Sequence, residues 1–475
     1  MRKQTNPVIR AHLLRSTFYM LLLVTVSAIP FALAQRNAAT RSVVTLTNAK
    51  RGLVEARNAI PGNIIPVTNT NDSGPGSLRG ALAIANDGDT IDATGVSGIV
   101  LLTSGTLQIT HNVTINGPSA ESLAIDGDHT FRVFENFASN VTISGLTISN
   151  GLAADGIGGS GVLNHNGLTV SDSRIVENGF PFGFGGGGGV FSDAGTLTVT
   201  NSVIDGNAAA AGGGISSNGA TVTVIGSTIS GNNGSCYGGG IASIDGQLTV
   251  IDSTISGNSS FGWAGLCEQG NGGGMFFYNG GILSVTNSTI SGNSTSEHGG
   301  GMTLGGNGTT IIEESTISDN SGPQGGGIFN YAMLRIRDTV LKAGEFGPTI
   351  LNYGGGSVTS LGYNLASDEG GGVLRALGDQ INTDPMLGPL QDNGGSTFTH
   401  SLLPGSPAIN AGDPSFIPPP FSDQRGLGFA RVAGGRIDIG SFEVQGSIPT
   451  PTPTATATPR PTPANRPRPT PAPRL

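Results

Sequence analysis

Apolar and small polar residues alternate in a short phrase that recurs along the middle of the chain. One copy, LTVIDSTISGN at 248–258, places Leu248 and Val250 on one face of a strand and the residues between them on the other. A turn at 252–253 leads into a second short strand. Gly257 and Asn258 then break the chain, because both residue types tolerate positive φ. Similar phrases occupy 168–178, 197–207, 222–232, 283–293 and 310–320, with a divergent copy at 334–344.

The phrase returns at a nearly constant interval. The glycine runs that follow it, each leading into a third strand, begin 25, 26, 34, 27 and 26 residues apart. One coil of three strands cannot bury its own apolar face, so successive coils must stack. The pattern therefore predicts an all-β, single-stranded parallel β-helix, a solenoid with three sheets.

Aligned copies place the same residue type at the same position in successive coils. Coils repeat at the inter-strand spacing of about 4.8 Å, a distance at which side-chain amides can hydrogen-bond along the stack. We therefore expect a structural asparagine ladder, with ligand binding by these residues as the alternative. The ladder residues are Asn178, Asn207, Asn232, Asn258, Asn293 and Asn320.

Both ends of the chain depart from the repeat. The first residues combine a basic leader, an apolar stretch and Ala32-Leu33-Ala34, which is typical of a cleaved signal peptide, with a retained membrane anchor as the alternative. From Ser77 to Asn86, helical spacing predicts a short amphipathic helix that covers the open end of the solenoid. The predicted division is a signal peptide at 1–34, a linker at 35–62, the capped β-helix at 63–345, a closing region at 346–445 and a disordered Pro/Thr-rich tail at 446–475.

Distinctive segments lie on either side of the repeats. VTNTNDSGPGSLRGALAIANDGDTID (67–92) resembles the opening of bacterial exported right-handed parallel β-helix proteins, and the central phrases resemble polymorphic outer-membrane-protein repeats. The segments 382–413, 423–426 (DQRG) and 438–443 (DIGSFE) resemble the choice-of-anchor Q domain. The resemblance covers about 67–445 and implies a right-handed parallel β-helix with an N-terminal capping helix and a C-terminal closing region. It implies a surface or secreted scaffold; it does not imply a catalytic activity.

The charge distribution argues against a nucleic-acid partner. The leader and the tail each hold four basic and no acidic residues, so residues 35–445 hold 15 basic and 32 acidic residues. From Val133 to Leu334 the only basic residue is Arg174. A nucleic-acid-binding surface needs a cationic stripe, which the repeat body lacks.

Two cysteines and several aromatic residues follow the ladder asparagines. Cys236 and Cys267 lie in consecutive coils of a chain predicted to be exported, so we expect a disulfide, with two free buried thiols as the alternative. Stacked coils would bring the aromatic loops to one edge, where exposed rings could bind a glycan or a protein. Loops that bury their own rings are the alternative. These aromatic residues are Phe180, Phe182, Phe184, Tyr237, Phe261 and Trp263.

The charged residues of the chain do not form the catalytic arrangements used by polysaccharide-degrading β-helix enzymes. A lyase acting on a polyanion needs acidic metal ligands and basic residues, but Arg335 and Arg337 alternate to the outside and no acidic cluster accompanies them in sequence. A hydrolase needs convergent carboxylates, and strand alternation sends Glu313 and Glu314 to opposite faces. No resident cofactor or metal is expected. Structural calcium is the alternative at Asp87, Asp89, Asp92, Asp126 and Asp128, which are otherwise interpreted as turn residues.

The sequence thus favours a monomeric, exported bacterial scaffold at the cell surface or outside the cell. It would be non-catalytic and adhesin-like, with an extracellular glycan or a surface protein as its partner and no membrane span after signal cleavage. The alternative is a pectate-lyase-like polysaccharide lyase or a glycoside hydrolase.

Overall fold

A computed structural model describes residues 62–179, 185–262, 267 and 269–446. They form a right-handed parallel β-solenoid of about 11 coils, which confirms the predicted fold class. Each coil contributes one strand to each of three parallel sheets. Within the described residues, no helix is long and apolar enough to cross a membrane.

Sheet 1 is built from the strand that opens each repeated phrase. The alternation predicted from the sequence is confirmed there: Leu248 and Val250 are fully buried, and Thr249 between them is partly exposed. Its twelve strands, in spatial order, are Ile64–Pro66, Thr90–Asp92, Thr114–Asn116, Val141–Ser144, Gly167–Ser171, Thr196–Thr200, Thr221–Ile225, Gln247–Ile251, Ile282–Thr286, Thr309–Glu313, Met333–Arg337 and Ser357–Gly362.

Sheet 2 follows across a tight turn that requires positive φ. Asp252 at this turn has φ 52° and Asn287 has the same value, a conformation that Asp, Asn and Gly tolerate best. The eleven strands of sheet 2 are Gly98–Leu101, Leu123–Asp126, Thr147–Ser149, Arg174–Val176, Val203–Asp205, Thr228–Ser230, Thr254–Ser256, Thr289–Ser291, Thr316–Asn320, Val340–Ala343 and Leu365–Ala366.

Sheet 3 follows the glycine runs and completes each coil. Its ten strands are Leu107–Ile109, Phe134–Asn136, Val162–Asn164, Val190–Ser192, Ile215–Asn218, Ile241–Ile244, Met275–Tyr278, Met302–Gly305, Ile328–Asn330 and Ile350–Asn352. Between sheets 2 and 3, a short corner sheet contains Ala208–Ala211, Asn233–Tyr237, Ser259–Ser260 and Ser294–Thr295.

The predicted helix caps the N-terminal end of the solenoid. It spans Leu78–Ile84, shorter than the 77–86 stretch seen in the sequence, because Ala85 already has an extended backbone. The Ser77 hydroxyl accepts a hydrogen bond from Gly80 N, which satisfies a free amide at the helix start. Leu78 and Ala81 are buried in the same core as the coil interiors.

The C-terminal residues extend the solenoid and then fold back along its side. Solenoid strands continue past the predicted boundary at residue 345 to Ala366, and Leu374 covers the last coil. The remaining chain forms an antiparallel hairpin, Leu387–Gln391 with Thr399–Leu402, and packs on the outer face of sheet 2. One of its residues, Gln424, is buried and exchanges hydrogen bonds with the side chains of Thr254 and Thr289.

Candidate ligand-binding surface

In the described part of the solenoid, the outer face of sheet 3 carries a group of neighbouring aromatic side chains. In the strand Met275–Tyr278, Met275 and Phe277 enter the core, so alternation places Phe276 and Tyr278 outside. The strand Ile328–Asn330 repeats this arrangement, with Phe329 outside. The cross-strand pairing of Phe276 with Thr303, and of Thr303 with Phe329, shows that both phenylalanines belong to one column.

Six rings form a continuous row across these coils, here named the aromatic row. In the order given below, neighbouring ring centroids lie 4.8, 5.9, 6.1, 5.7 and 5.7 Å apart, within the range of favourable aromatic contacts. Gly305 makes one contact possible, because the Tyr331 ring occupies the space that a side chain at Gly305 would need. The row consists of Tyr237, Phe276, Tyr278, Tyr331, Phe329 and Tyr353.

The row has a buried base and an exposed surface. Phe276 and Phe329 are buried beneath their neighbours, whereas Tyr237 is 37% and Tyr353 62% exposed. Burial raises the pKa of Tyr331, so this phenol stays neutral and can donate or accept a hydrogen bond at any physiological pH. The His298 ring packs on Phe329 with centroids 4.4 Å apart, and its Nδ1 lies 2.9 Å from the Asn271 side-chain oxygen.

The described residues include only two of the six aromatic residues predicted to form an edge. Tyr237 belongs to the row, and Phe261 is an exposed ring on the neighbouring loop. That loop is tied to the preceding coil by the predicted disulfide, which is present with Cys236 and Cys267 Cα atoms 5.8 Å apart. Phe180, Phe182, Phe184 and Trp263 lie outside the described residues.

Sequence reasoning identified only one ring of the row, Tyr237, as a candidate. It singled out neither the two phenylalanines nor Tyr278, Tyr331 or Tyr353. A signal was present: Phe276 and Phe329 are each followed two residues later by a tyrosine, and Tyr353 follows Leu351 in the same way. Combining strand alternation with the repeat period would have aligned the three tyrosines in one column.

Acidic and histidine side chains occupy the other end of the same face. His165 Nδ1 lies 2.8 Å from an Asp193 oxygen, and its Nε2 lies 3.5 Å from Glu135. Phe137 stacks on the His165 ring at 4.8 Å, and Arg132 forms an ion pair with Asp155. Three carboxylates accompany a single guanidinium here, so this end of the face is acidic.

The asparagine column forms an unbroken buried ladder. From Asn178 to Asn293, each Nδ2 group donates to the Oδ1 of the asparagine in the next coil at 2.9–3.0 Å. The same oxygen accepts the backbone N–H of the preceding asparagine. The second N–H of each amide donates to a backbone carbonyl, as Asn258 does to Ile229. These contacts consume the hydrogen-bonding capacity of the amides, which leaves little for a ligand.

A buried charged cluster lies where the C-terminal region meets the solenoid. Glu313 and Glu314 both reach the Arg337 guanidinium, at 3.4 and 3.2 Å, so the expectation that they diverge is wrong. Alternation fails because Glu314 sits at the turn with φ 46°. An acidic cluster therefore accompanies Arg337 in space, although Arg335 remains exposed as expected.

Burial sets the protonation of this cluster. It raises the pKa of Glu314 to about 7 and that of Asp338 to about 6. Arg431, which arrives from the C-terminal region, is fully buried and attracts both carboxylates. Asp338 also accepts the backbone N–H of Asp413 at 2.7 Å. The contacts of Asp338 with Asp413 and the burial of Arg431 beside it join the C-terminal region to the solenoid.

The carboxylates considered for calcium hold turns together. Asp89 accepts the backbone N–H groups of Asn63 and Asn86, and Asp126 accepts that of Asp128. Asp92 accepts that of Thr94, and Asp87 that of Asn112. Among the described residues, no three His, Cys, Asp or Glu side chains are grouped so that they could hold a metal ion.

The match to a protein family agrees with the architecture, and the comparisons leave the chemistry open. Residues 82–264 match the family described as "Right handed beta helix region". A similar solved structure is titled "Crystal structure of pectate lyase Pel9A"; it shares 16% identity with a TM-score of 0.45, over 81% of this chain and 97% of that chain. Curated protein sequences gave no match. The paired sheets and the matched repeat region together establish a right-handed parallel β-helix.

Proposed function

We propose that this chain is an exported bacterial scaffold, at the cell surface or secreted, that binds an extracellular glycan without cleaving it. The observation that carries the proposal is the aromatic row on sheet 3. Its exposed tyrosines stand on a base of buried phenylalanines, so the rings are held in place before a ligand arrives. Such preordering lowers the entropic cost of binding.

The chemistry of the row favours a neutral sugar chain. Sugar rings have an apolar C–H face that packs on aromatic rings, while phenol hydroxyls can pair with sugar hydroxyls. An acidic polysaccharide would need cations, but the outer column of sheet 3 contains none in its described strands. That column is Gln108, Glu135, Leu163, Phe191, Ser216, Ala242, Phe276, Thr303, Phe329 and Leu351.

The disulfide supports the location outside the cytoplasm. Bridges such as Cys236–Cys267 persist in oxidising compartments and are rare in the cytosol. The basic and apolar leader predicted at residues 1–34 gives a route of export, and it lies outside the described residues.

A glycan array with the mature chain, followed by titration of the hits, tests the proposal. The variants Tyr278→Ala and Tyr353→Ala each remove one ring of the row and should weaken binding about 2- to 10-fold. Phe398→Ala removes an exposed ring from the C-terminal region and is the matched control. Equal binding by all variants would contradict the role of the row.

The same incubations separate the scaffold from the enzyme alternative. A lyase releases unsaturated products that absorb in the ultraviolet, and a hydrolase releases new reducing ends. We expect neither from any glycan that binds. Product formation that survives both tyrosine substitutions would favour a lyase or hydrolase acting elsewhere on the chain.

A further inference from the structure

A column of residues lies beside the aromatic row, where each coil approaches sheet 3. Backbone bridges pair these residues from coil to coil, so they share one position in successive coils. In coil order they are Gly158, Gly186, Ala211, Tyr237, Asn271, His298 and Gln324. Hydrogen-bonding side chains thus occur at this position only from Tyr237 onward, in the coils that also carry the row. We name Asn271, His298 and Gln324, together with Glu297, the polar column.

The side chains of the polar column contact the row and one another. The His298 ring packs on Phe329 of the row with centroids 4.4 Å apart, and its Nδ1 lies 2.9 Å from Asn271 Oδ1. The Gln324 amide donates to one carboxylate oxygen of Glu297. All four side chains are partly exposed, so a ligand lying on the aromatic rings can reach them. Their mutual contacts hold them in place before it arrives.

Two atoms of the polar column can only accept a hydrogen bond. The His298 Nδ1 faces an amide oxygen and therefore carries the proton. Burial lowers the pKa of His298, an effect that the Glu297 carboxylate partly opposes, so Nε2 is an unprotonated acceptor at neutral pH. The second carboxylate oxygen of Glu297 is the other acceptor. Within the described residues, neither atom has a hydrogen-bond partner.

These two acceptors restrict the chemistry of a ligand. A ligand that satisfies both must supply two hydrogen-bond donors and must not bring negative charge beside Glu297. Free sugar hydroxyls meet both requirements. An O-methylated sugar lacks the donors, and a carboxylated or sulfated sugar adds a like charge.

We propose that the polar column selects neutral sugars with free hydroxyl groups, while the aromatic row supplies most of the affinity. This inference rests on the proposed glycan-binding function and names its ligand class. One sugar hydroxyl donates to His298 Nε2 and a second donates to Glu297, and the amides of Asn271 and Gln324 pair with neighbouring hydroxyls. A substituted sugar leaves the two acceptors without a partner, which costs binding free energy.

Calorimetric titration of the mature chain, residues 35–475, tests this selection. The probes are cellohexaose, mannohexaose and xylohexaose, each in its native and its fully O-methylated form. We expect at least one native probe to bind and its methylated form to bind at least about tenfold more weakly.

Two variants test whether the polar column causes this preference. The double variant Glu297→Met, His298→Phe keeps the side-chain volumes and a ring on Phe329 but removes both acceptors. The native probe should then bind as weakly as the methylated one. Glu297→Gln retains an acceptor oxygen and should keep most of the preference. Thermal unfolding of each variant checks that the fold is unchanged.

Gln108→Met is the matched control, because Gln108 is an exposed polar residue of sheet 3 in a coil without row residues. Its binding and its preference should match those of the unmodified chain. Tyr353→Ala should weaken native and methylated probes by the same factor, because ring stacking does not use the hydroxyl protons. Equal binding of both forms, or a preference that survives the double substitution, would overturn the selection and leave the row in place. Binding that ignores Tyr353→Ala would count against the row alone, and no binding to any probe would overturn both proposals.

Discussion

Replacing one ladder asparagine tests whether the stack is held by amide hydrogen bonds. Asn258 lies near the middle of the ladder and is fully buried. Its Oδ1 accepts from the backbone and side-chain N–H groups of Asn232, at 3.0 and 2.9 Å. Its Nδ2 donates to Ile229 O and to Asn293 Oδ1, both at 2.9 Å. The substitution Asn258→Ala therefore removes four buried hydrogen bonds at once.

The expected cost follows from these four bonds. Each contributes about 1 kcal/mol net, and the Asn232 backbone N–H loses its side-chain acceptor, which carries a desolvation penalty. Asn232 Nδ2 keeps its second acceptor, Ile204 O, at 2.9 Å, so part of the network survives. We expect the free energy of unfolding to fall by about 3–4 kcal/mol. That is a large share of the 5–15 kcal/mol typical of a folded protein.

Hydrogen–deuterium exchange, read coil by coil, is the suitable assay, because a solenoid can open locally. Exchange should accelerate in the coils of Asn232, Asn258 and Asn293 and remain slow near the capping helix. Gln247→Ala, at an exposed position of the same coil, is the control and should cost less than about 0.5 kcal/mol. A cost below about 1 kcal/mol for Asn258→Ala would refute the assignment of coil stability to the ladder.

Three further predictions concern the C-terminal region and the aromatic row. Gln424→Ala removes buried bonds to the solenoid and should cost about 3 kcal/mol, seen as faster exchange in residues 387–445. Because burial raises the pKa of Glu314 from 4.5 to about 7, the folded state holds this proton more tightly; stability present below pH 4.5 is lost as the pH rises through 7. Burial lowers the pKa of His400, so the contribution of this residue to stability changes with pH in the opposite direction. The Glu314 effect is therefore isolated by measuring Tm at pH 5.5 and 8 for the unmodified chain and for Glu314→Gln. The decrease in Tm between these two pH values should be smaller for the variant. Phe276→Ala should destabilise by about 3 kcal/mol and Tyr353→Ala by less than about 0.5 kcal/mol in denaturant titrations, because only Phe276 is buried.

The periodic part of the fold could be predicted because equivalent positions of successive repeats lie next to each other in the stack. In a stacked coil, Ile255 lies beside Ile229 and Ile290, and these share one column of the aligned sequence. The strand register, the interior residues and the asparagine ladder could therefore be predicted from the repeat spacing alone. The same reasoning located the disulfide, since Cys236 and Cys267 occupy consecutive coils.

Contacts between unlike segments could not be predicted in this way. Arg431 attracts Glu314 and Asp338 electrostatically from a region with no repeat, so no spacing connects them. The positive φ of Glu314 also breaks the strand alternation on which its predicted direction depended. The aromatic row was not predicted for a related reason. The Tyr278 ring packs against the Tyr331 ring two coils away, and the coil between them has a glycine at that position. A comparison of adjacent coils therefore finds no aromatic partner for Tyr278.

The two kinds of column show which positions are free to acquire a function. Interior columns consist of similar aliphatic residues, because each side chain is closely packed against the equivalent side chains of the two adjacent coils. The outer column of sheet 3 has no such constraint, and its members range from Glu135 to Ala242 and Phe276. Aromatic residues gather toward the C-terminal end of this face, with Phe276 and Phe329 in this column and Tyr278, Tyr331 and Tyr353 in the neighbouring outer column. Their concentration at one place, partly exposed, is therefore the strongest physical reason to look for a ligand on this face.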